Sequence, residues 1–244
     1  MNTSPILIEG VNLSEAWRIT LERTVADSNH EITPLVLSLS NFEESKHIRN
    51  ILDRELKKDK KGSVETVSET IFPESIYRLY NHDRYAFYEG YLDILPQIKK
   101  IDARSNSRGT YFERLIAYRG TTGKINQLEI IISSLKDKQN RRRSKLQASV
   151  FDPTTDHTNS PYQRFPCLQH VTFYVTSNGL VLNSFYAIQY LYERAYGNWL
   201  GLINLGKFVA NELDLKFDKF NCYIGVEKLD MNTSKARELL KMTN

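Results

Sequence analysis

Residues 165–188 read FPCLQHVTFYVTSNGLVLNSFYAI and contain a strong hairpin signal. Two runs rich in β-branched and aromatic residues, Cys167 to Val175 and Leu180 to Ile188, flank Ser177-Asn178-Gly179. An Asn-Gly pair between two such runs favours a tight hairpin turn, because both residues accept positive φ angles. The stretch therefore predicts two antiparallel strands. Their apolar alternation leaves two faces that a single layer of helices would not cover.

Helical spacing of apolar residues and further β-rich runs occur on both sides of this hairpin. A helix is predicted over Leu13 to Ala26, with Asn12 or Ser14 as its cap, and another over residues 43–62, with Gly62 as its C-cap. Two or three helices are predicted over Ser63 to Lys100, with breaks at Pro73 and Asn81. Further helices are predicted over residues 125–138 and within Gln189 to Leu213, the latter with a break near Gly197. Further strands are predicted over Ile32 to Leu39, Leu146 to Phe151 and Lys216 to Val226. Helices and strands are intermixed without the regular alternation of a doubly wound sheet, so we expect one α+β domain over residues 1–244.

Composition limits the class of protein. The chain has 244 residues and 28.4 kDa, with 41% hydrophobic and 25% charged residues, which excludes disordered and collagen-like chains. No apolar run reaches the ~18–20 residues of a membrane-spanning helix, and the N-terminus lacks a leader pattern, so we expect a cytoplasmic protein without a membrane partner. The net charge of +4 (33 − 29) is spread along the chain, so it suggests an anionic ligand at most and no nucleic acid.

Neither the histidines nor the aromatic residues define a site by themselves. His157 and His170 lack the spacing of a metal motif, so we expect no metal. The aromatic segment between Phe72 and Tyr91 is typical of a hydrophobic core rather than of an RNA-stacking surface. Cys222 lies on an alternating strand and is expected to be a packing residue.

The cysteine of the hairpin lies in a motif with a family resemblance. Pro166-Cys167 followed by Phe173-Tyr174-Val175 resembles the active-site strand of the thymidylate synthase family, which includes the pyrimidine nucleotide hydroxymethylases. Further matches follow in the same order along the chain: Tyr111, Ala117-Tyr118, the helix INQLEIIISSLK, the run Arg141 to Arg143, residues 148–153, Gly197-Asn198 and Asn221-Cys222-Tyr223. The likeness covers Tyr111 to Tyr223, and Ser68 to Phe72 corresponds loosely to the helix with the family's catalytic glutamate.

The resemblance implies a fold and a reaction. The fold is a large bent mixed sheet flanked by helices, paired as a homodimer through its sheet. In the family a thiolate adds to C6 of a pyrimidine nucleotide, and C5 then captures a one-carbon unit from 5,10-methylenetetrahydrofolate. Carried onto this chain, the catalytic residues are Cys167 and Glu69, and the substrate-binding residues are Tyr111, Arg142, Arg143, Asn198, Asn221 and Tyr223. The thiol needs a cationic neighbour that lowers its pKa, for which Arg164 or the arginine run is available.

Departures from the family pattern leave two functions open. This chain has Leu168 where the family has a histidine after its cysteine, and Asn221 where the family has its sugar-binding histidine. The family's Tyr-Gln-Arg-Ser segment is replaced by a different sequence around residues 186–189. The family's closing C-terminal tail is also expected to be absent, which favours transfer of a hydroxymethyl group over a methyl group. The alternative is a noncatalytic member that keeps the fold as a binding or assembly module. The two differ in whether Cys167 is a nucleophile.

Overall fold

The computed structural model describes residues 4–101, 103, 106, 108–137, 142–157, 159 and 166–244. Three residues of the sequence predictions, Arg141, Arg164 and Phe165, lie outside the described residues.

Helices and strands alternate irregularly along the described part. The helices are α1 (Leu13–Ala26), α2 (Lys46–Lys58), α3 (Val64–Glu69), α4 (Glu74–Leu79), α5 (Arg84–Ile101), α6 (Tyr111–Ile116), α7 (Gln127–Lys136), α8 (Pro153–Asp156), α9 (Tyr196–Glu212) and α10 (Thr233–Thr243). The strands are β1 (Ile6–Glu9), β2 (Glu31–Ile32), β3 (Leu35–Leu39), β4 (Tyr118–Arg119), β5 (Lys124–Ile125), β6 (Gln147–Ser149), β7 (Leu168–Val175), β8 (Leu180–Tyr190) and β9 (Phe217–Lys228). A 3₁₀ turn covers Arg143–Lys145, and a π-helical turn covers Leu191–Ala195.

A large mixed sheet is the centre of the fold. Its strand order is β1-β3-β9-β8-β7-β6, and β2 pairs with β9 at the side. β8 and β9 run parallel, whereas β7 is antiparallel to β8 and β3 is antiparallel to β9. Parallel neighbours need a crossover connection, which the π-helical turn and α9 provide. The chain is thus a mixed α/β structure with a sheet flanked by helices.

Local signals predicted many of these elements. The hairpin of β7 and β8 is present, with Gly179 at a φ of +142° in its turn. Helix α1 has the predicted bounds, and the side chain of Asn12 caps it by accepting from the Glu15 amide. The chain between residues 63 and 101 forms three helices separated near Pro73 and Asn81. Phe72, Tyr77, Phe87, Tyr88 and Tyr91 are buried, as the core interpretation required.

Other boundaries differ from the predictions. Helix α2 ends before Gly62, because Lys60 adopts the left-handed conformation and its amide bonds back to the Lys57 carbonyl. The strand expected over residues 32–39 is interrupted at Thr33-Pro34, where the proline lacks an N–H for the ladder. β8 continues to Tyr190, so the following helical segment begins two residues later than expected.

Helices α1 and α9 cover one face of the sheet. Leu37, Leu182 and Phe220 are buried on this face, and two tryptophans fasten the helical layer to the end of β8. Trp17 of α1 donates to the Leu191 carbonyl at 3.1 Å, and Trp199 of α9 donates to the side-chain oxygen of Gln189 at 2.8 Å. The indole N–H groups of both buried tryptophans therefore have hydrogen-bonding partners.

The opposite face of the sheet, here called the open face, is less covered. Its centre is an aromatic row in which Phe185 stacks on His170 at 6.0 Å and on Tyr223 at 5.4 Å between ring centroids. Tyr223 remains 44% exposed. An exposed aromatic row on a sheet face is typical of a surface that contacts another protein.

We predict that the open face pairs two copies of the chain. Phe185→Glu would bury an unpaired charge at the centre of that interface and should convert a dimer into a monomer. Leu79→Glu is the matched control, because Leu79 is 79% exposed on α4 and away from the sheet. Sedimentation velocity distinguishes the two states. If the native chain is a monodisperse monomer at micromolar concentration, pairing through the sheet is wrong.

Candidate active site around Cys167

Cys167 precedes β7 directly, beside the end of β8. Its carbonyl accepts from the Ala187 amide at 3.2 Å and from the side-chain amide of Gln169 at 3.2 Å. The residue is half-buried. Because β7 and β8 are antiparallel, the start of one strand lies beside the end of the other, and the chain that follows β8 emerges next to the thiol.

Two opposing effects act on the thiol of Cys167. Burial raises its pKa, and the positive charge of Arg194 lowers it by a smaller amount, so the pKa is raised overall. The expectation of a lowered pKa is therefore wrong, because loss of hydration disfavours the thiolate more than one cation favours it. The cation that acts on Cys167 is Arg194, whereas the sequence suggested Arg164 or the arginine run.

Arg194 is a candidate site residue that the sequence analysis missed. It lies in the π-helical turn, its side chain is exposed, and no acidic partner holds it among the residues that the structure describes. Its charge acts on Cys167, on Tyr111 and on Lys61. An unpaired guanidinium beside a half-buried thiol is suited to an anionic ligand. A lone arginine shortly after a strand was the available signal in the sequence.

Two tyrosines line the inner side of the thiol. The hydroxyl of Tyr111 interacts with the backbone amides of Cys167 and Leu168, and its burial raises its pKa above the ordinary range. Tyr186, the register partner of Leu168, is fully buried. Its hydroxyl has no hydrogen-bonding partner in the described part of the chain, and burial raises its pKa strongly. Both phenols are therefore neutral at ordinary pH.

Helix α6 carries Tyr111 and is anchored at its N-terminus. Thr110 and Glu113 form a capping box, and the hydroxyl of Tyr91 lies 2.6 Å from the hydroxyl of Thr110. The Phe112 amide donates to the Thr70 carbonyl at 3.2 Å. Phe112 follows Tyr111 and Thr70 follows Glu69. This hydrogen bond therefore joins the residues directly after Tyr111 and Glu69.

Glu69 ends α3 in a partly buried position. It accepts from the Ser75 amide at 3.0 Å and from the Ser75 hydroxyl at 2.7 Å. Burial raises the pKa of its carboxyl, and the carboxylates of Glu65 and Glu74 add to this in the same direction. A carboxyl with a raised pKa retains its proton more readily and suits proton transfer.

Asn198 is buried in the first turn of α9, against α3. The two helices approach closely at two glycines. A Cβ on Gly197 would lie 2.6 Å from the Cβ of Val67, and a Cβ on Gly201 would lie 2.7 Å from the Ser68 carbonyl oxygen. The structure thus brings Glu69 and Asn198 to neighbouring helices of one layer.

Asn221 and Tyr223 lie elsewhere, on the open face of β9. The side-chain Nδ2 of Asn221 donates to the side-chain oxygen of Asn183 at 2.9 Å, and the side-chain Nδ2 of Asn183 donates to the hydroxyl of Thr172 at 3.1 Å. Cys222 between them is buried on the helical side. In the described part of the chain no hydrogen bond or ring contact joins Asn221 or Tyr223 to Cys167, and their binding role stays a prediction.

Arg142 and Arg143 are exposed at the 3₁₀ turn before the edge strand β6. Neither acts on Cys167 in the described part of the chain. Their predicted role concerns the site of a partner copy, so one chain does not test it.

The described residues contain neither a metal-binding cluster nor a membrane-spanning helix. Across the described ranges, no group of three His, Cys, Asp or Glu side chains is arranged to hold a metal ion. Among the described helices, none combines the length and the apolar character needed to cross a membrane.

Part of the chain is similar in sequence to a known protein. The chain is 30% identical over 112 residues to a protein of Methanocaldococcus jannaschii named "Putative thymidylate synthase". The matched region is 45% of this chain and 50% of that protein's length. No protein-family profile matches the chain. The similarity is consistent with a thymidylate synthase-like relationship.

We predict that alkylation of Cys167 depends on pH and on Arg194. Because burial raises the thiol pKa, the thiolate fraction grows only as the pH approaches that raised value. Arg194→Ala removes the stabilising charge, so the pH midpoint should move further upward and labelling at neutral pH should slow. Mass spectrometry of iodoacetamide-treated protein measures this.

Lys207→Ala is the control, because it removes an exposed cation farther along α9. Cys222 should stay unlabelled in the folded protein, since it is buried and its pKa is raised. An unchanged midpoint in Arg194→Ala would show that the guanidinium does not act on the thiol.

We predict that Gly201→Ala destabilises the contact between α3 and α9. The added methyl would overlap the Ser68 carbonyl and the Ile71 side chain, so the two helices must separate. The expected loss is about 1–3 kcal/mol in the free energy of unfolding, measured by urea denaturation. Gly62→Ala is the control, because its Cβ would meet only ordinary contacts at 3.7 Å or more. Equal midpoints for the two variants would contradict the close packing.

Proposed function

We propose that the chain is a transferase that adds a one-carbon unit to C5 of a pyrimidine nucleotide, with Cys167 as the nucleophile. The observation that carries this proposal is the half-buried thiol beside an unpaired arginine and a buried tyrosine. The similarity to the archaeal protein over 112 residues supports the same class of reaction.

Each group has a task in the proposed reaction. Arg194 binds the nucleotide's anionic group and favours the thiolate. The thiol gives its proton to solvent, the Sγ atom of Cys167 bonds to C6, and the electron pair of the C5–C6 double bond moves to C5, which bonds to the one-carbon unit. The C5 proton then leaves, the exocyclic carbon separates from the donor's nitrogen and takes up water, and expulsion of the thiolate restores the C5–C6 double bond. Glu69 moves protons at the base, and Asn198 pairs with the base edge through its amide donor and acceptor.

The proposed one-carbon donor is 5,10-methylenetetrahydrofolate, which supplies the carbon at the methylene level. The described groups around Cys167, namely Tyr111, Tyr186 and Arg194, suit an anionic nucleotide. Among these described groups, none is dedicated to a pterin.

Water decides which product forms. Arg194 is exposed and Cys167 is half-buried, so solvent reaches the place where the one-carbon unit joins C5. Water then competes for the exocyclic carbon, and hydration gives a hydroxymethyl group in place of the methyl group that reduction would give. We propose hydroxymethylation as the main outcome.

The remaining site residues belong to the proposed dimer. Arg142 and Arg143 are exposed and would reach a nucleotide phosphate in the partner copy. Asn221 and Tyr223 lie on the open face, where a second copy would change their surroundings.

One observation favours a noncatalytic alternative. The raised pKa of Cys167 leaves most of the thiol protonated at neutral pH. A chain that kept the fold only for binding or assembly would tolerate such a thiol, whereas an enzyme must ionise it after the nucleotide binds.

The two functions separate in one assay. We expect the native protein to release tritium from C5-labelled dUMP, dCMP or CMP in the presence of methylenetetrahydrofolate, because bond formation at C5 expels that hydrogen. Cys167→Ser should abolish the release without unfolding the protein, since the two side chains are close in size. Cys222→Ser is the matched control and should retain the release.

Mass analysis of the product then distinguishes a hydroxymethyl from a methyl group. A 5-fluoropyrimidine nucleotide with the same folate should leave a covalent adduct on Cys167. Folded protein that releases no tritium from any of the three nucleotides would favour the noncatalytic alternative.

A further inference from the structure

The turn that carries Arg194 has an unusual conformation. Residues Leu191–Ala195 form a π-helical turn between β8 and α9, and Tyr190 before it gives no side-chain cap. Turns with i→i+5 bonds are rare and occur often at functional sites. Contacts from outside the turn must therefore determine where the Arg194 side chain points.

Asp230 binds the start of this turn with both carboxylate oxygens. Its Oδ1 accepts from the Tyr192 amide at 2.7 Å, and its Oδ2 accepts from the Glu193 amide at 3.1 Å. These are the two amides directly before Arg194. Hydrogen bonds from backbone amides to a carboxylate are stronger than bonds between neutral groups.

The topology places Asp230 at this position. β9 ends at Lys228 and runs parallel to β8, with Lys228 in register with Tyr190. Both strands therefore end at the same edge of the sheet. The residue two places beyond β9 meets the turn that follows β8.

Other contacts fasten the turn without holding its amides. Trp17 donates to the Leu191 carbonyl at 3.1 Å, the Tyr192 hydroxyl donates to Asp59 at 2.8 Å, and Lys61 pairs with Glu193. Asp230 is thus the side chain that binds the amides of the turn in the described part of the chain.

We propose that Asp230 is a positioning residue that orients the turn so that the guanidinium of Arg194 faces Cys167. The inference rests on the proposed role of Cys167 as nucleophile. The charge of Asp230 is not among the influences on the pKa of the Cys167 thiol. Its proposed effect on the thiol is therefore indirect, through its two hydrogen bonds to the turn. The titratable groups that face the thiol are Tyr111, Tyr186 and Arg194, and both tyrosines stay neutral because burial raises their pKa.

The experiment uses the full chain without substrate and measures the pH midpoint of Cys167 alkylation by iodoacetamide. Asp230→Ala removes both bonds and should slow alkylation at neutral pH by the same factor as Arg194→Ala. Asp230→Asn keeps one acceptor and should give a smaller change. The double variant should show no further slowing, since both changes remove one interaction.

Asp59→Asn is the matched control, because it removes a carboxylate that holds the same turn through the Tyr192 side chain instead of the amides. It should leave the midpoint unchanged, and urea denaturation reports any loss of stability separately. If Asp230→Ala fails to fold, the comparison of Asp230→Asn with Asp59→Asn decides the question.

The outcomes separate this inference from the proposed function. A shift in Arg194→Ala but not in the Asp230 variants overturns the positioning role and makes Asp230 a cap for stability alone. No shift in either variant overturns the inference together with the role of Arg194. Tritium release tests the transferase function independently of both results.

Discussion

Because β8 and β9 run parallel, the chain must cross over between them, and this crossover assembles the candidate site. The π-helical turn leaves the edge where β8 ends, and the parallel neighbour β9 ends at the same edge. β7 is antiparallel to β8, so Cys167 at its start meets that edge as well. The segments that carry Cys167, Arg194 and Asp230 are separate in sequence and reach the same edge of the sheet because of strand direction.

Burial then determines the chemistry at this edge. Burial raises the pKa of two phenols near this edge, those of Tyr111 on α6 and Tyr186 on β8. Glu227 is fully buried, its two oxygens have no hydrogen-bonding partner within the described residues, and burial raises its pKa strongly. A carboxylate charged in such surroundings would be very costly, so this carboxyl keeps its proton. The region behind Cys167 therefore carries little negative charge, and Arg194 in front of it stays available for an anion.

Sequence reasoning succeeded where the signal was local. Asn178-Gly179 fixes the hairpin by its turn conformation, Asn12 fixes the start of α1, and Pro73 separates two helices. The misses depend on tertiary structure. Arg164 attracted attention because it is near Cys167 in sequence, whereas Arg194 is near it in space only through the pairing of β7 with β8. The direction of the thiol pKa follows from burial, which no short pattern encodes.

The placement of the predicted site residues follows the same distinction. Glu69 and Tyr111 are linked because α3 and α6 share one backbone bond, and Asn198 joins them because glycines allow α9 to approach α3. Strand alternation instead sends Asn221 and Tyr223 to the open face, opposite the neighbouring Cys222. Two residues spaced two apart on a strand lie on the same face of the sheet, but their spacing does not show which face. The sequence motif therefore predicts that Asn221 and Tyr223 share a face, and the packing of the sheet determines which face it is.

The way Arg194 is held argues for a ligand at this edge. An exposed arginine on an ordinary helix contributes little to stability and needs no support from other segments. Here the indole of Trp17, the carboxylates of Asp59 and Asp230 and the ammonium group of Lys61 hold the residues just before it, and the turn adopts a rare conformation. Under the proposed positioning role, these contacts orient a side chain that itself has no acidic partner among the described residues. Assembly through the open face would not require this arrangement, because the turn lies at the end of the strands, whereas an anion bound beside the thiol would.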